Sequence, residues 1–63
     1  MMAEEYSIPL SRYLDLRKMV FLGDFCCCEQ LLKKNIEKIG LFEDHIYVKC
    51  SDGSEYKIIP YSG

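Results

Sequence analysis

The stretch His45-Ile46-Tyr47-Val48-Lys49-Cys50-Ser51-Asp52-Gly53-Ser54-Glu55-Tyr56-Lys57-Ile58-Ile59 decides how this chain folds. Two runs of β-branched and aromatic residues flank Asp52-Gly53, a strong local signal for a β-hairpin. The side-chain pattern then selects the turn. A two-residue loop would set Cys50 against Glu55, Val48 against Lys57 and Ile46 against Ile59, mixing charge into both faces. A three-residue loop, with a type I turn from Cys50 to Gly53 and Gly53 left-handed in a G1 bulge, shifts the pairing by one. Val48 then faces Tyr56, Ile46 faces Ile58 and Lys49 faces Glu55. One face carries Ile46, Val48, Cys50, Tyr56 and Ile58; the other carries His45, Tyr47, Lys49, Glu55, Lys57 and Ile59. A slip of one residue exchanges the faces, so the cleaner segregation predicts the bulged register. Pro60 has no amide hydrogen to donate and is expected to end the second strand.

Upstream of the hairpin, Phe25, Cys28, Leu32, Ile36 and Ile39 form one stripe at helical spacing. Gln30, Lys33, Lys34, Glu37 and Lys38 lie opposite it. The spacing predicts a helix from Phe25 to Ile39, capped by Asp24 and stopped by Gly40. Leu41 and Phe42 are expected to fold back over the core, and Glu43-Asp44 to lead into the hairpin. A further helix is predicted over Arg12 to Leu22, with Ser11 as its N-cap and with Tyr13, Leu16 and Val20 on one face. Leu14 to Arg17 alternates and Met19 to Leu22 is a short apolar block, so a strand is the runner-up there. Met1 to Tyr6, polar and without periodicity, reads as a frayed start. The expected fold class is therefore α+β, two helices followed by an antiparallel hairpin (α-α-β-β), with β-α-β-β as the second choice. Residues 1–63 form one small domain.

At 63 residues the core is thin. A chain of this size buries roughly 60% of its unfolded surface, so help from a disulfide, a metal or a second chain is common. Ten acidic residues against eight basic ones argue weakly against indiscriminate binding to nucleic acid or to an anionic membrane. Charges interrupt every apolar run before about 18 residues, so no membrane span is expected. The acidic start lacks the positive charge of a signal peptide, which points to the cytoplasm.

The run Cys26-Cys27-Cys28, with Cys50, suggests metal or redox chemistry, but geometry discourages it. Successive helical residues point about 100° apart, so three adjacent thiols cannot converge on one ion. Cys28 and Cys50 are read as small buried residues, Cys26 and Cys27 as lying near the surface, and no metal or cofactor is expected. Four thiols without a disulfide framework suit a reducing compartment. Cys50, His45 and Asp44 have the residue types of a nucleophile, base and orienting acid, but so small a domain has little left to wall a cleft. No enzyme is expected.

Two functions remain. In the first, the chain binds another protein or itself through His45, Tyr47, Lys49, Lys57, Ile59 and Tyr61, an aromatic-aliphatic patch with a charged rim. It would serve as an inhibitor or adaptor, or form a homodimer. In the second, two helices and the hairpin make a winged-helix-like nucleic-acid binder, with Lys33, Lys34 and Lys38 on the exposed helix and Lys49 and Lys57 on the wing. Glu29, Glu37 and Glu55 interrupt that basic surface, so the first function is preferred.

Overall fold

The computed structural model describes residues 4–62. The chain runs β1 (Glu4–Pro9), α1 (Leu10–Phe21), α2 (Cys26–Leu32), β2 (Ile36–Leu41), β3 (Ile46–Cys50) and β4 (Glu55–Tyr61). The four strands form one sheet in the order β1-β4-β3-β2, with β1 parallel to β4 and the other neighbours antiparallel. Neither expected order, α-α-β-β or β-α-β-β, is correct; the order is β-α-α-β-β-β.

The hairpin does form in the bulged register. Ile46 pairs with Ile58, Tyr47 with Lys57, Val48 with Tyr56 and Lys49 with Glu55. Gly53 sits at φ +94°, its amide donates to the Cys50 carbonyl at 3.0 Å, and the Cys50 amide donates to the Ser54 carbonyl at 2.8 Å. Ile46, Val48, Cys50 and Ile58 are each 0% exposed, as one-sided alternation requires. Contrary to expectation, Pro60 does not end the second strand; β4 continues to Tyr61. The ladder to β3 stops at Ile58, so Pro60 lies where β4 has β1 on one side only, and its missing donor costs little there.

Two further corrections concern strands hidden in the sequence. Met1 to Ala3 lie outside the described residues, but Glu4 to Tyr6 belong to β1 rather than to a frayed start. As an edge strand β1 buries only Ile8, so it shows no alternation to read. The second helix ends at Leu32, not at Ile39. Lys33 takes the left-handed conformation (φ 57°, ψ 39°) with its amide on the Glu29 carbonyl at 2.7 Å, and the chain then turns into β2. A bulge in β2 between Ile36 and Lys38 places Ile36 across from Cys50 and Ile39 across from Val48, both on the buried side. Two apolar residues three apart thus share one face of a strand, and their spacing imitates a helical turn. Gly40, expected as a helix stop, lies inside β2 opposite Tyr47.

The first helix is present and begins two residues before Arg12. Pro9 rather than Ser11 occupies the N-cap position, without a side-chain cap. Its fixed φ (−57° here) suits the strand-to-helix junction. A Schellman closure ends α1: Gly23 (φ +88°) donates to the Val20 carbonyl and Asp24 to the Met19 carbonyl, both at 2.9 Å. The Asp24 carboxylate accepts the Cys26 amide at 3.0 Å, so it does serve the start of α2, although Phe25 is the N-cap residue. Together α1 and α2 carry the chain from the β1 edge to the β2 edge, about 14 Å at the usual strand spacing. Tyr13, Leu16, Val20, Cys28 and Leu32 close over Ile8, Ile46, Val48, Cys50 and Ile58 as the core. Both helices therefore cover the same side of the sheet.

Candidate functional site

Alternation along each strand turns the complementary set of side chains to the other side of the sheet, where no helix of the described residues lies. The pairing register orders this open face in rows. Lys38, Lys49 and Glu55 line up at the end near the Asp52-Gly53 turn. Gly40, Tyr47, Lys57 and Glu5 follow across the middle. Beyond the last β3–β4 pair, Ile46 with Ile58, come His45 just ahead of β3 and Ile59 in β4, which pairs with Ser7; Tyr61 and Pro9 pair at the far end. The face thus grades from charged to aromatic and aliphatic. It holds all six residues expected to contact a partner: His45, Tyr47, Lys49, Lys57, Ile59 and Tyr61. Tyr61 is about half exposed and the other five are partly exposed.

Phe42 joins this cluster, and the sequence reading missed it by sending it over the core. A Cβ built on Gly40 would come within 3.2 Å of the Phe42 ring, so the ring lies over the open-face side of that glycine. The same ring stacks on His45, with centroids 4.7 Å apart and planes 4° from parallel. The Phe42 amide donates to the His45 carbonyl at 2.9 Å, closing the β2–β3 loop beneath the stack. His45 Nδ1 lies 2.7 Å from Asp44 Oδ1, and this hydrogen bond holds the Asp44 carboxyl below its ordinary range. A glycine two residues before Phe42 in a β-prone run was the signal available: inside a strand it marks a close approach.

The other candidate groupings separate. Cys50 points into the core while His45 stands on the open face, so Cys50, His45 and Asp44 do not converge. Burial, then Cys27, pushes the Cys28 thiol up to about 11, and burial raises Cys50 as well. Cys26 is exposed and Cys27 partly buried. Among the described residues no three His, Cys, Asp or Glu side chains gather to hold a metal. The helix-and-wing arrangement is replaced altogether. Lys33 caps α2, and Lys38 lies on the open face in β2. Lys34 is tied to the turn: its Nζ stands 3.1 Å from Asp52 Oδ2, donates to Ser54 Oγ at 3.0 Å and sits 5.5 Å from the Tyr56 ring centroid. Tyr56 and then Asp52 hold its pKa up to about 12. Asp52, accepting the Ser54 amide, falls to about 2.

No family model, curated protein or solved structure matches the chain. Among the described residues no helix is long and apolar enough to cross a membrane.

Proposed function

We propose that this chain is a small non-catalytic interaction module that binds a larger protein, as an inhibitor or adaptor, through the open face of its sheet. One observation carries the reading: Phe42, His45, Tyr47, Ile59 and Tyr61 lie from the middle to the far end of a sheet face over which no described helix lies. Aromatic anchors beside a polar rim are the usual centre of a small interface, and Lys49, Lys57, Glu5 and Glu55 supply the rim. The stack on His45 and the seat over Gly40 fix the Phe42 ring before any partner arrives, which lowers the ordering cost of binding. Four free thiols suit a reducing compartment, and we place the protein in the cytoplasm.

The test is capture of partners from the native host with wild type and Tyr47→Asp side by side, with circular dichroism on both. The variant should stay folded, because Tyr47 alternates away from the core, and should lose the specific partner. A variant that unfolds, or that captures the same protein equally well, removes the assignment. Sedimentation of the wild type over a wide concentration range shows whether a second copy is that partner; association that Tyr47→Asp abolishes would make the module a homodimer.

A further inference from the structure

The two edges of the sheet are unlike. β1 forms one of them, carries Glu4 and Glu5, and ends in Pro9, which has no amide to offer a further strand. β2 forms the other, and among the described residues it has no neighbour on its outer side. The ladder to β3 decides which of its backbone groups point outward. The Phe42 amide donates to the His45 carbonyl, and antiparallel pairs are bonded alternately, so the next bonded pairs are Gly40 with Tyr47 and Lys38 with Lys49. The far side of β3 agrees. Cys50 donates to the Ser54 carbonyl, which turns Cys50, Val48 and Ile46 toward β4 and leaves Tyr47 and Lys49 to bond β2. Ile39 and Leu41 therefore aim their amides and carbonyls away from the sheet, and among the described residues nothing bonds to them. Leu41 is 36% exposed on the helix side and Phe42 51% exposed on the open face, so neither layer closes over this end of the edge.

We propose that β2 pairs antiparallel with β2 of a second copy, about a two-fold axis normal to the sheet and beside Gly40. The strand admits one such register. Outward residues must face outward residues, so the axis can lie beside Ile39, Gly40 or Leu41. Beside Ile39, Leu41 falls opposite Glu37 of the second copy, in the bulge; beside Leu41, Ile39 falls opposite Glu43, past the end of the strand. Beside Gly40, Ile39 of each copy meets Leu41 of the other, and every outward amide and carbonyl of the two strands finds a partner. The two glycines then stand opposite each other at the closely spaced position, about 4.5 Å between Cα atoms, where side chains would crowd the Phe42 rings that lie over them. On the open face Lys38 comes opposite the Phe42 ring of the second copy and beside its Glu43. The bulge takes Glu37 out of the ladder, where it would otherwise face Glu43. On the helix side the Ile39–Leu41 contacts cover apolar surface that each copy leaves exposed. An unrelated strand could fill the hydrogen bonds, but it would have to bring its own glycine and its own cation. This chain carries both, on the strand through which the axis passes. The pairing leaves both open faces bare and on the same side, so it is independent of the protein interface proposed above.

Sedimentation over a wide concentration range, with amide hydrogen exchange followed residue by residue by NMR, tests the proposal. The contact is one strand wide, short of the roughly 800 Å² per partner of a standard interface, so a reversible dimer is expected. As it forms, the Ile39 and Leu41 amides should gain protection, while the Gly40 amide, bonded to Tyr47 throughout, should change little. Leu41→Pro removes an outward amide without touching the ladder to β3 and should weaken the dimer about thirtyfold, since one hydrogen bond is lost per copy. Leu41→Lys keeps the amide but sets a charge against Ile39 of the second copy; it should weaken the dimer too, and it serves if the proline variant does not fold by circular dichroism. Tyr47→Asp should dimerise as the wild type does, which separates this edge from the open face. A chain that stays monomeric up to about 1 mM, or a dimer that Leu41→Lys leaves unchanged, overturns the proposal. Dimerisation that Tyr47→Asp abolishes, with exchange at Ile39 and Leu41 unaltered, would overturn it in favour of the open face. Protection of those two amides only in a complex with another protein would give the edge to that protein instead.

Discussion

Lys33→Gly separates the fold from the periodicity that conceals it, because the two give opposite signs. If residues 25–39 were one helix, position 33 would lie mid-helix, and glycine there would cost about 1 kcal/mol relative to lysine. In the structure Lys33 ends α2 at φ 57° and ψ 39°. A left-handed conformation costs a residue with a Cβ roughly 1–2 kcal/mol. Glycine removes that strain but returns about 0.4–1 kcal/mol through the greater freedom of the unfolded chain. The Lys33 side chain is exposed and forms no ion pair among the described residues, so little else is lost there. The net expectation is stabilisation of roughly 0.5–1 kcal/mol, which for a domain of this size raises Tm by several degrees. Urea denaturation should show a higher midpoint at unchanged slope. A fall in the midpoint equivalent to about 1 kcal/mol would refute the left-handed cap and the strand that follows it.

Three other outcomes are expected. Gly53→Ala should lose about 1 kcal/mol in the same assay, because a Cβ there meets nothing within 4 Å and the cost is that of the positive φ alone. Cys28→Ser should destabilise by about 1–3 kcal/mol, since it buries an added hydroxyl in an apolar site, whereas exposed Cys26→Ser should change stability little. Asp52 titrates at about 2 when folded, below its unfolded value, so its contribution is present above the unfolded pKa and is lost as pH falls through the folded one. Acid titration of stability should therefore be shallower in Asp52→Asn between roughly pH 4 and 2, and an unchanged profile would show that the Ser54 and Lys34 contacts add nothing.

The hairpin was legible because both of its signals are local: Asp52-Gly53 sets the turn, and one-sided burial of Ile46, Val48, Cys50 and Ile58 sets the register. Helix α1 was legible from Tyr13, Leu16 and Val20, though Pro9 fixed its start without a capping hydroxyl. The two missed strands failed for different physical reasons. β1 is held by a ladder to β4, more than 50 residues away in sequence, and an edge strand that buries only Ile8 leaves no periodic trace. β2 leaves a trace of the wrong kind, since its bulge gives Ile36 and Ile39 a helical spacing. The polar residues that suggested one solvated helix face, Lys33, Lys34 and Lys38, have three different duties: a cap, a clamp on the turn, and a place on the open face. Of the six expected contact residues, Tyr47, Lys49 and Lys57 follow from the hairpin register, while His45, Ile59 and Tyr61 continue its alternation beyond the β3–β4 ladder. Phe42 was lost because its position depends on β2.

The open face follows from the topology and not from a shortage of apolar residues. The chain leaves β1 at one edge of the sheet and must reach β2 at the other before the β2-β3-β4 meander can return it beside β1. A single crossing of a four-stranded sheet occupies one side, and the 26 residues between Pro9 and Ile36 supply α1 and α2, one layer of helix. Among the described residues, the ten buried apolar ones all serve that layer. Side chains on the other side are consequently not constrained by the core, and water would favour polar residues there. Lys38, Lys49 and Glu55 meet that expectation at one end; Phe42, His45, Tyr47, Ile59 and Tyr61 depart from it at the other. Strand propensity explains Tyr47 and Ile59 singly. It does not explain Gly40, whose missing side chain leaves room for the Phe42 ring stacked on His45. A glycine in an edge strand costs stability, and a Cβ at this position would meet the Phe42 ring at 3.2 Å, so the ring's place over the open face depends on the missing side chain.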